Sequence, residues 1–203
     1  GHDDVRLRVG SVEPRSLDPE FVKVMAESEG RVCRHLHLPL QSGSDKVLHE
    51  MNRPYSAHVF LEVVAMLIRQ VGDISLTTDV IVGFPGETEQ DFADTCTLVR
   101  EVGFTKIHVF RYSRREGTPA ASRTDQIPAE IKERRAHELS VLGDRLRIQY
   151  AQRHIGSHEL VAVEQEGWGM TESYYKVRVD GFPQGALVDV CLTGVADAAI
   201  MRA

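Results

Sequence analysis

The stretch TTDVIVGFPGET, residues Thr77 to Thr88, decides how the chain is read. Val80, Ile81 and Val82 are β-branched and apolar without a break, and Gly83-Phe84-Pro85-Gly86 closes the run. A short apolar run closed by Gly and Pro predicts a strand buried on both faces, as in parallel sheets. Thr88, with Asp91 three residues on, predicts a capped helix start. The stretch is therefore a strand–loop–helix junction, and in open sheets and barrels such loops carry the site.

Working outward, the same alternation recurs. Val5 to Val12 (VRLRVGSV) reads as a first strand that Pro14 stops, and Pro19 to Ser28 as a short helix with Phe21, Val22, Val24 and Met25 on its apolar side. His35 to Gln41 (HLHLPLQ) reads as a second strand. A helix to Met51 follows, then another over Ala57 to Val71 ended by Gly72. The helix after Thr88 carries Phe92, Thr95, Cys96, Val99 and Val102 at helical steps and stops at Gly103. Lys106 to Phe110 reads as a fourth strand. Strands alternating with helices mean βαβ units and a parallel sheet, and four units make half of a (β/α) barrel or a small open sheet.

The pattern changes near Pro128. A long charged helix runs to about His154, with a modest apolar face of Leu139, Leu142, Leu146 and Tyr150. Beyond Gly156 the runs His158 to Val163, Ser173 to Val179, Leu187 to Leu192 and Ala199 to Met201 predict a small all-β barrel. The expected organisation is an α/β part over 1–127, a linking helix over 128–154 and an all-β part over 155–203.

A net charge of −6 advertises no global nucleic-acid affinity, so RNA binding would need local patches. Cys33, Cys96 and Cys191 are odd in number and far apart, which argues against a disulfide framework and against a CxxC metal knuckle. The expected compartment is the reducing cytoplasm. Gly1-His2 reads as a cloning remnant, and the abrupt opening on a strand reads as that of a fragment.

Several residues carry candidate chemistry. His35 and His37 share one strand face, a pairing used by metal-dependent hydrolases, with Asp79 and His108 as the only obvious further ligands. A packed or hydrogen-bonded pair is the plainer alternative. Gln41-Ser42-Gly43-Ser44 is a polar loop before a helix start, suited to a ribose, a carboxylate or a phosphate, and equally to a plain N-cap turn. Arg111, Arg114, Arg115 and Arg123, interleaved with Phe110 and Tyr112, suit a phosphodiester with stacked bases, or a solvated loop. Tyr174, Tyr175, Lys176 and Arg178 alternate aromatic and basic residues along one expected strand.

Three motifs in order, HLHLPLQSGSDKVLHEMNRPYS, TTDVIVGFPGETEQDF and IHVFRYSRREGTPAA, resemble the second half of a radical-SAM methylthiotransferase barrel. The all-β part, with GMTESYYKVRV, resembles that family's TRAM domain. SVEP after the first expected strand, CRHLHLPLQSG and HVF-x-YS are similar to the branch acting on tRNA N6-threonylcarbamoyladenosine. The isopentenyladenosine branch is the alternative.

The resemblance implies methylthiolation at adenine C2 next to the anticodon, so tRNA, through its anticodon stem-loop, is the implied partner. It implies S-adenosylmethionine and two 4Fe–4S clusters in a full-length parent. Glu13, Gln41, Ser42 and Gly43 would lie near the methionine and ribose of S-adenosylmethionine. Val82, Gly83 and Phe84 would lie against its adenine, with Tyr112, Ser113 and Arg115 on the same edge. Arg111, Arg114, Arg123, Tyr174, Lys176 and Arg178 would grip the RNA.

Two departures stand out. No CxxxCxxC is present, so no metal or cluster ligand and no catalytic residue is expected in this chain. Inactivity of the chain alone, or a role as a non-catalytic RNA-binding module, follows as an expectation. Arg111, Arg114 and Glu116 also replace prolines usual in the family. Half a barrel leaves an open sheet edge, through which a dimer could form.

Overall fold

The structure, a computed structural model, describes residues 5–196 and 200–202. Helix α1 (Pro19–Ala26) precedes strand β1 (His35–His37), helices α2 (Asp45–Glu50) and α3 (Ala57–Val71), strand β2 (Ser75–Val82), helix α4 (Glu89–Val102) and strand β3 (Lys106–Arg111). The three strands form one parallel sheet in the order β1-β2-β3, with His37 opposite Thr77 and Asp79 opposite His108. The short helix α5 (Pro119–Ser122) leads into α6 (Ala129–Arg153).

Local signals explain these elements. Thr88 Oγ1 accepts from Asp91 N–H and the Asp91 carboxylate accepts from Thr88 N–H, so the expected capping box forms in full. Gly103 ends α4 in the left-handed region. Ser44 and Ser56 cap α2 and α3. Alternation along the strands sends Leu36, Leu76, Val80 and Val82 into the helix-side core with Phe60, Leu67, Phe92 and Val99. Each such fully buried side chain contributes about 1.5–3 kcal/mol. Val24, expected on the apolar side of its helix, is exposed instead.

The first expected strand is not a strand. Residues 5–12 make only two isolated parallel bridges, Leu7 with Val32 ahead of β1 and Ser11 with His37 on β1. Arg6 and Arg8 reach away to carbonyls of the all-β part, at Leu160 and at Thr171 and Glu172, which takes this segment out of a regular ladder. The second expected strand is shorter than its apolar run. It pairs regularly only to His37, because Pro39 has no N–H to donate; Gln41 rejoins β2 through a bridge to Val80.

The C-terminal part is a six-stranded sheet of β4 (His158–Gln165), β5 (Trp168–Thr171), β6 (Lys176–Arg178), β7 (Leu187–Cys191), β8 (Gly194–Ala196) and β9 (Ile200–Arg202), in the order β7-β4-β5-β6-β9-β8. β5 and β8 lie outside the expected runs. The start of the last expected run, Ala199, lies outside the described residues. Val161, Val177, Val190 and Leu192 make a second core. Helix α6 enters both cores, Leu139 in the first and Tyr150 with Ala151 in the second. Gly143 lets it close on β3, since a Cβ there would lie 3.3 Å from Ile107 Cδ1.

The two parts meet at the N-terminal ends of the sheet strands. Arg34 pairs with Glu172 at 3.1 Å, and His154 hydrogen-bonds Asp73. Tyr150 stacks on Tyr175 with centroids 5.5 Å apart.

Candidate functional site at the strand ends

The loops after β1, β2 and β3 leave the same end of the parallel sheet. Ile81 N–H donates to the Gln41 carbonyl and Tyr112 N–H to that of Val82, both at 2.9 Å, so Gln41, Val82 and Tyr112 stand side by side.

The first loop is held from beneath. Gln41 takes a positive φ of 65°, and its N–H donates to Asp79 O. Ser42 is fully buried, its hydroxyl 3.3 Å from Thr95 Oγ1, and Gly43 N–H donates to that same oxygen at 2.9 Å. A Cβ at Gly43 would stand 2.5 Å from Thr95 Cα, so only glycine permits this approach. Ser44 Oγ donates to the Asp91 carboxylate, which also takes Lys46 and lies well below the usual range; burial opposes that shift, and the hydrogen bonds from Ser44 and Thr88 outweigh it. The Ser42 hydroxyl and the Gly43 N–H are thus both turned to Thr95 of α4.

The second loop and the end of β3 form an aromatic corner. Phe84 meets Tyr112 edge to face at 5.2 Å, and Tyr112 Oη is buried without a partner. Ser113, Arg114 and Arg115 are exposed, as is Arg111. Arg123 stands 5.9 Å over Phe84 and is held by Glu50 at 2.8 Å and by Asp125 at 2.5 Å. Glu13 pairs with Arg53 at 3.3 Å. The corner offers two ring edges and one orphan hydroxyl around a glycine turn, with Val82, Gly83 and Phe84 buried and Tyr112 half-buried. Iron–sulfur clusters do not fit this chain. Cys33 and Cys96 are buried, Cys191 is exposed, and among the described residues no group of three metal-ligating side chains occurs.

On the open face of the sheet, Thr77 stands between the two histidines. Its hydroxyl is 3.0 Å from His35 Nε2 and 2.9 Å from His37 Nδ1, while His37 Nε2 lies 3.3 Å from Asp79. A proton on His37 Nε2 would serve the Asp79 carboxylate. In that tautomer Thr77 donates to His37 and accepts from His35, which leaves His35 Nδ1 bare and unpartnered. Burial first, then Arg8 and His37, holds the His35 ring down to about 3. The pair is a hydrogen-bonded unit rather than a shared metal ligand set.

In the C-terminal part, Lys176 and Arg178 are exposed, 4.4 Å and 6.0 Å from the Trp168 ring. Tyr174 does not join them on the strand as expected. It sits in the preceding turn with φ of 68°, stacked on His35, and Tyr175 is in the core. Trp168, Lys132 and Arg135 are not singled out by any motif in the sequence, and Thr77 and Thr95 are marked there only as strand and helix positions. The lone tryptophan beside the Lys176 strand was the one available signal.

The parallel sheet with its helices is an α/β arrangement, with three loops gathered at one end of its strands. Residues 3–99 match the Radical SAM superfamily profile. The fold matches coproporphyrinogen III oxidase from Escherichia coli with a TM-score of 0.55 at 20% identity, covering 70% of this chain and 32% of that one. Curated relatives narrow the class. A tRNA-2-methylthio-N(6)-dimethylallyladenosine synthase of Carboxydothermus hydrogenoformans is 42% identical over 159 residues, 78% of this chain and 36% of that protein. A threonylcarbamoyladenosine tRNA methylthiotransferase of Bacillus subtilis is 37% identical over 185 residues, 87% of this chain and 41% of that protein. The chain belongs to the radical-SAM methylthiotransferase family. It spans about two-fifths of the length of these relatives.

Proposed function

We propose that the chain is the C-terminal part of a cytoplasmic tRNA methylthiotransferase that modifies C2 of threonylcarbamoyladenosine next to the anticodon. The observation that carries the reading is the convergence of the Gln41, Val82–Phe84 and Tyr112 segments at one sheet end. S-adenosylmethionine, when bound, supplies the radical and the methyl group, and two 4Fe–4S clusters of the parent supply electrons and sulfur. This chain's share is placement. Val82, Gly83, Phe84 and Tyr112 would face the adenine, Glu13 and Gln41 the ribose and methionine, with Ser113 and Arg115 along the edge. Ser42 and Gly43 would hold the Gln41 turn against α4. Alone, without cluster ligands, the chain would be inactive.

The all-β sheet would serve as a TRAM-type RNA-binding unit. Lys176 and Arg178 around Trp168 offer a cationic, aromatic face suited to single-stranded RNA. Arg111 and Arg114 would add phosphate contacts near the site. Arg123, already held by two carboxylates, and Tyr174, stacked on His35, would contribute through placement. Self-association would use the open edge of β3 and would be read by sedimentation.

A dimethylallyladenosine substrate is the second reading, favoured by the relatives bearing that name. Mass spectrometry of tRNA nucleosides decides between them, using cells lacking the parent gene and complemented with it. Restored 2-methylthio-threonylcarbamoyladenosine supports the first reading, and restored methylthio-dimethylallyladenosine the second. Absence of both overturns the tRNA reading. No observation favours a hydrolase on His35 and His37.

A further inference from the structure

Helix α6 does more than join two parts of the chain. Its first two turns lie on the loop after β2. Arg135 is 2% exposed and uses both arms: Nη1 donates to Glu87 Oε2 at 2.5 Å and to the Glu87 carbonyl at 3.2 Å, and Nη2 donates to Glu89 Oε1 at 2.6 Å. Glu87, 3% exposed, in turn accepts the backbone N–H of Gly83 at 2.7 Å. Gly83 adopts φ of 73°, and a Cβ there would lie 2.3 Å from Lys132 Cγ, so the lysine stem rests on the glycine itself. Lys132 Nζ donates to the Tyr112 carbonyl at 3.0 Å and stands 5.1 Å from the Tyr112 ring.

Two side chains of one helix therefore fix both halves of the aromatic corner. Arg135 acts through Glu87 on the Gly83 turn, and Lys132 acts on the end of β3. A buried ion pair is weak evidence for stability, because apolar residues of similar volume often serve as well. What such a pair supplies is direction. The carboxylate oxygen that receives Gly83 N–H is the one that Arg135 holds.

We propose that Arg135 and Lys132 are positioning residues for the nucleoside face made by Gly83, Phe84 and Tyr112, so that an adenine ring meets a preset surface. The role rests on the cofactor reading given above. Neither side chain touches the ligand. Each removes freedom from the loop before binding, which reduces the ordering cost that binding would otherwise carry.

The test uses the 203-residue chain and two readouts: equilibrium dialysis with S-adenosylhomocysteine, and residue-resolved amide hydrogen exchange without ligand. Arg135→Lys keeps the charge and loses the two-armed bridge. It should speed exchange at the Gly83 amide about tenfold and weaken binding about tenfold, with exchange in α3 and β2 unchanged. Lys132→Ala should weaken binding by a similar factor, and Lys132→Arg, which keeps stem and charge, should restore it. Unchanged Gly83 exchange in Arg135→Lys overturns the proposal, and so does faster exchange with unchanged affinity. No binding by the unaltered chain overturns the cofactor reading, and this role with it.

Discussion

Tyr174 lies flat on His35, ring centroids 4.4 Å apart and 29° from coplanar, so a turn of the C-terminal sheet covers a side chain of β1. The Arg8 guanidinium, from the same part as His35, also lies over the Tyr174 ring at 4.9 Å. An aromatic pair of this kind is worth about 0.5–1.5 kcal/mol beyond area burial. Tyr174→Ala should therefore lower stability by about 1–3 kcal/mol in urea unfolding. It should also raise the His35 pKa toward 6.5 by letting water in, which an NMR titration of the ring reads directly. An unmoved His35 titration would show that Tyr174 is not what buries it.

His35 also sets an acid limit. Its folded pKa of about 3 lies below the ordinary 6.5, so the unfolded chain binds a proton that the folded chain refuses. Stability is complete above about 6.5 and falls as the pH drops toward 3. Between pH 7 and pH 5 the loss from this ring is about 2 kcal/mol. His108, also lowered by burial and by Lys106, acts in the same sense. His154, raised by its bond to Asp73, acts oppositely: it stabilises below 6.5 and loses that contribution as the pH rises. His35→Gln should flatten the acid slope, measured by urea midpoints from pH 7 to pH 4.5.

Thr77→Val keeps the shape of the side chain and deletes the hydroxyl shared by His35 and His37. Two imidazole nitrogens then lose a partner, at a cost of about 2–4 kcal/mol. Thr97→Val, on the exposed face of α4, is the control and should stay within about 0.5 kcal/mol. Equal effects in the two variants would refute a structural role for the Thr77 bridge.

Gly43→Ala would drive a methyl group into the backbone of α4 at Thr95. Overpacking of this kind costs about 1–3 kcal/mol. The Gln41 turn should shift with it, so S-adenosylhomocysteine affinity should drop as well. Gly10→Ala, where nothing lies within 4 Å of the added Cβ, serves as the comparison in both assays.

For RNA, the double variant Lys176→Ala with Arg178→Ala removes two cations. The slope of log affinity against log salt should become shallower by about 1.4 for a single strand. Trp168→Leu should weaken binding at every salt concentration without changing the slope, by about 1–3 kcal/mol per stacked base. A gel-shift series at several ionic strengths separates the two effects.

The junction at Thr77–Thr88 is legible because its signals are local: an apolar run, a glycine turn and a cap within twelve positions. Helices α1 to α4 are legible for the same reason. Pairing at long range is not. Arg6 and Arg8 look like the polar side of a strand, but the carbonyls they take in the all-β part lie more than 150 positions away. β5 hides because Gly169 weakens its strand signal, although glycine is required there: a Cβ would meet Val161 Cγ1 at 2.3 Å. The Gly83 turn can be read from the sequence, whereas its support cannot, because Arg135 is one of many charges on a charged helix and its partner is 48 residues earlier. Tyr174 misleads because alternation assigns a strand where the backbone turns left-handed.

Helix α6 touches the aromatic corner at Lys132 and the C-terminal core at Tyr150, and those eighteen residues measure about 27 Å at 1.5 Å each. A rod in contact at both ends transmits phase as well as distance. One inserted residue between these points would swing one end by about 100° and lengthen the rod by about 1.5 Å, pulling Arg6, Arg8 and Arg34 off their acceptors. Seven inserted residues would nearly restore the angle and overshoot the length by about 10 Å. The span of α6 is thus quantised, and evolution can alter what sits at either end far more easily than the number of residues between.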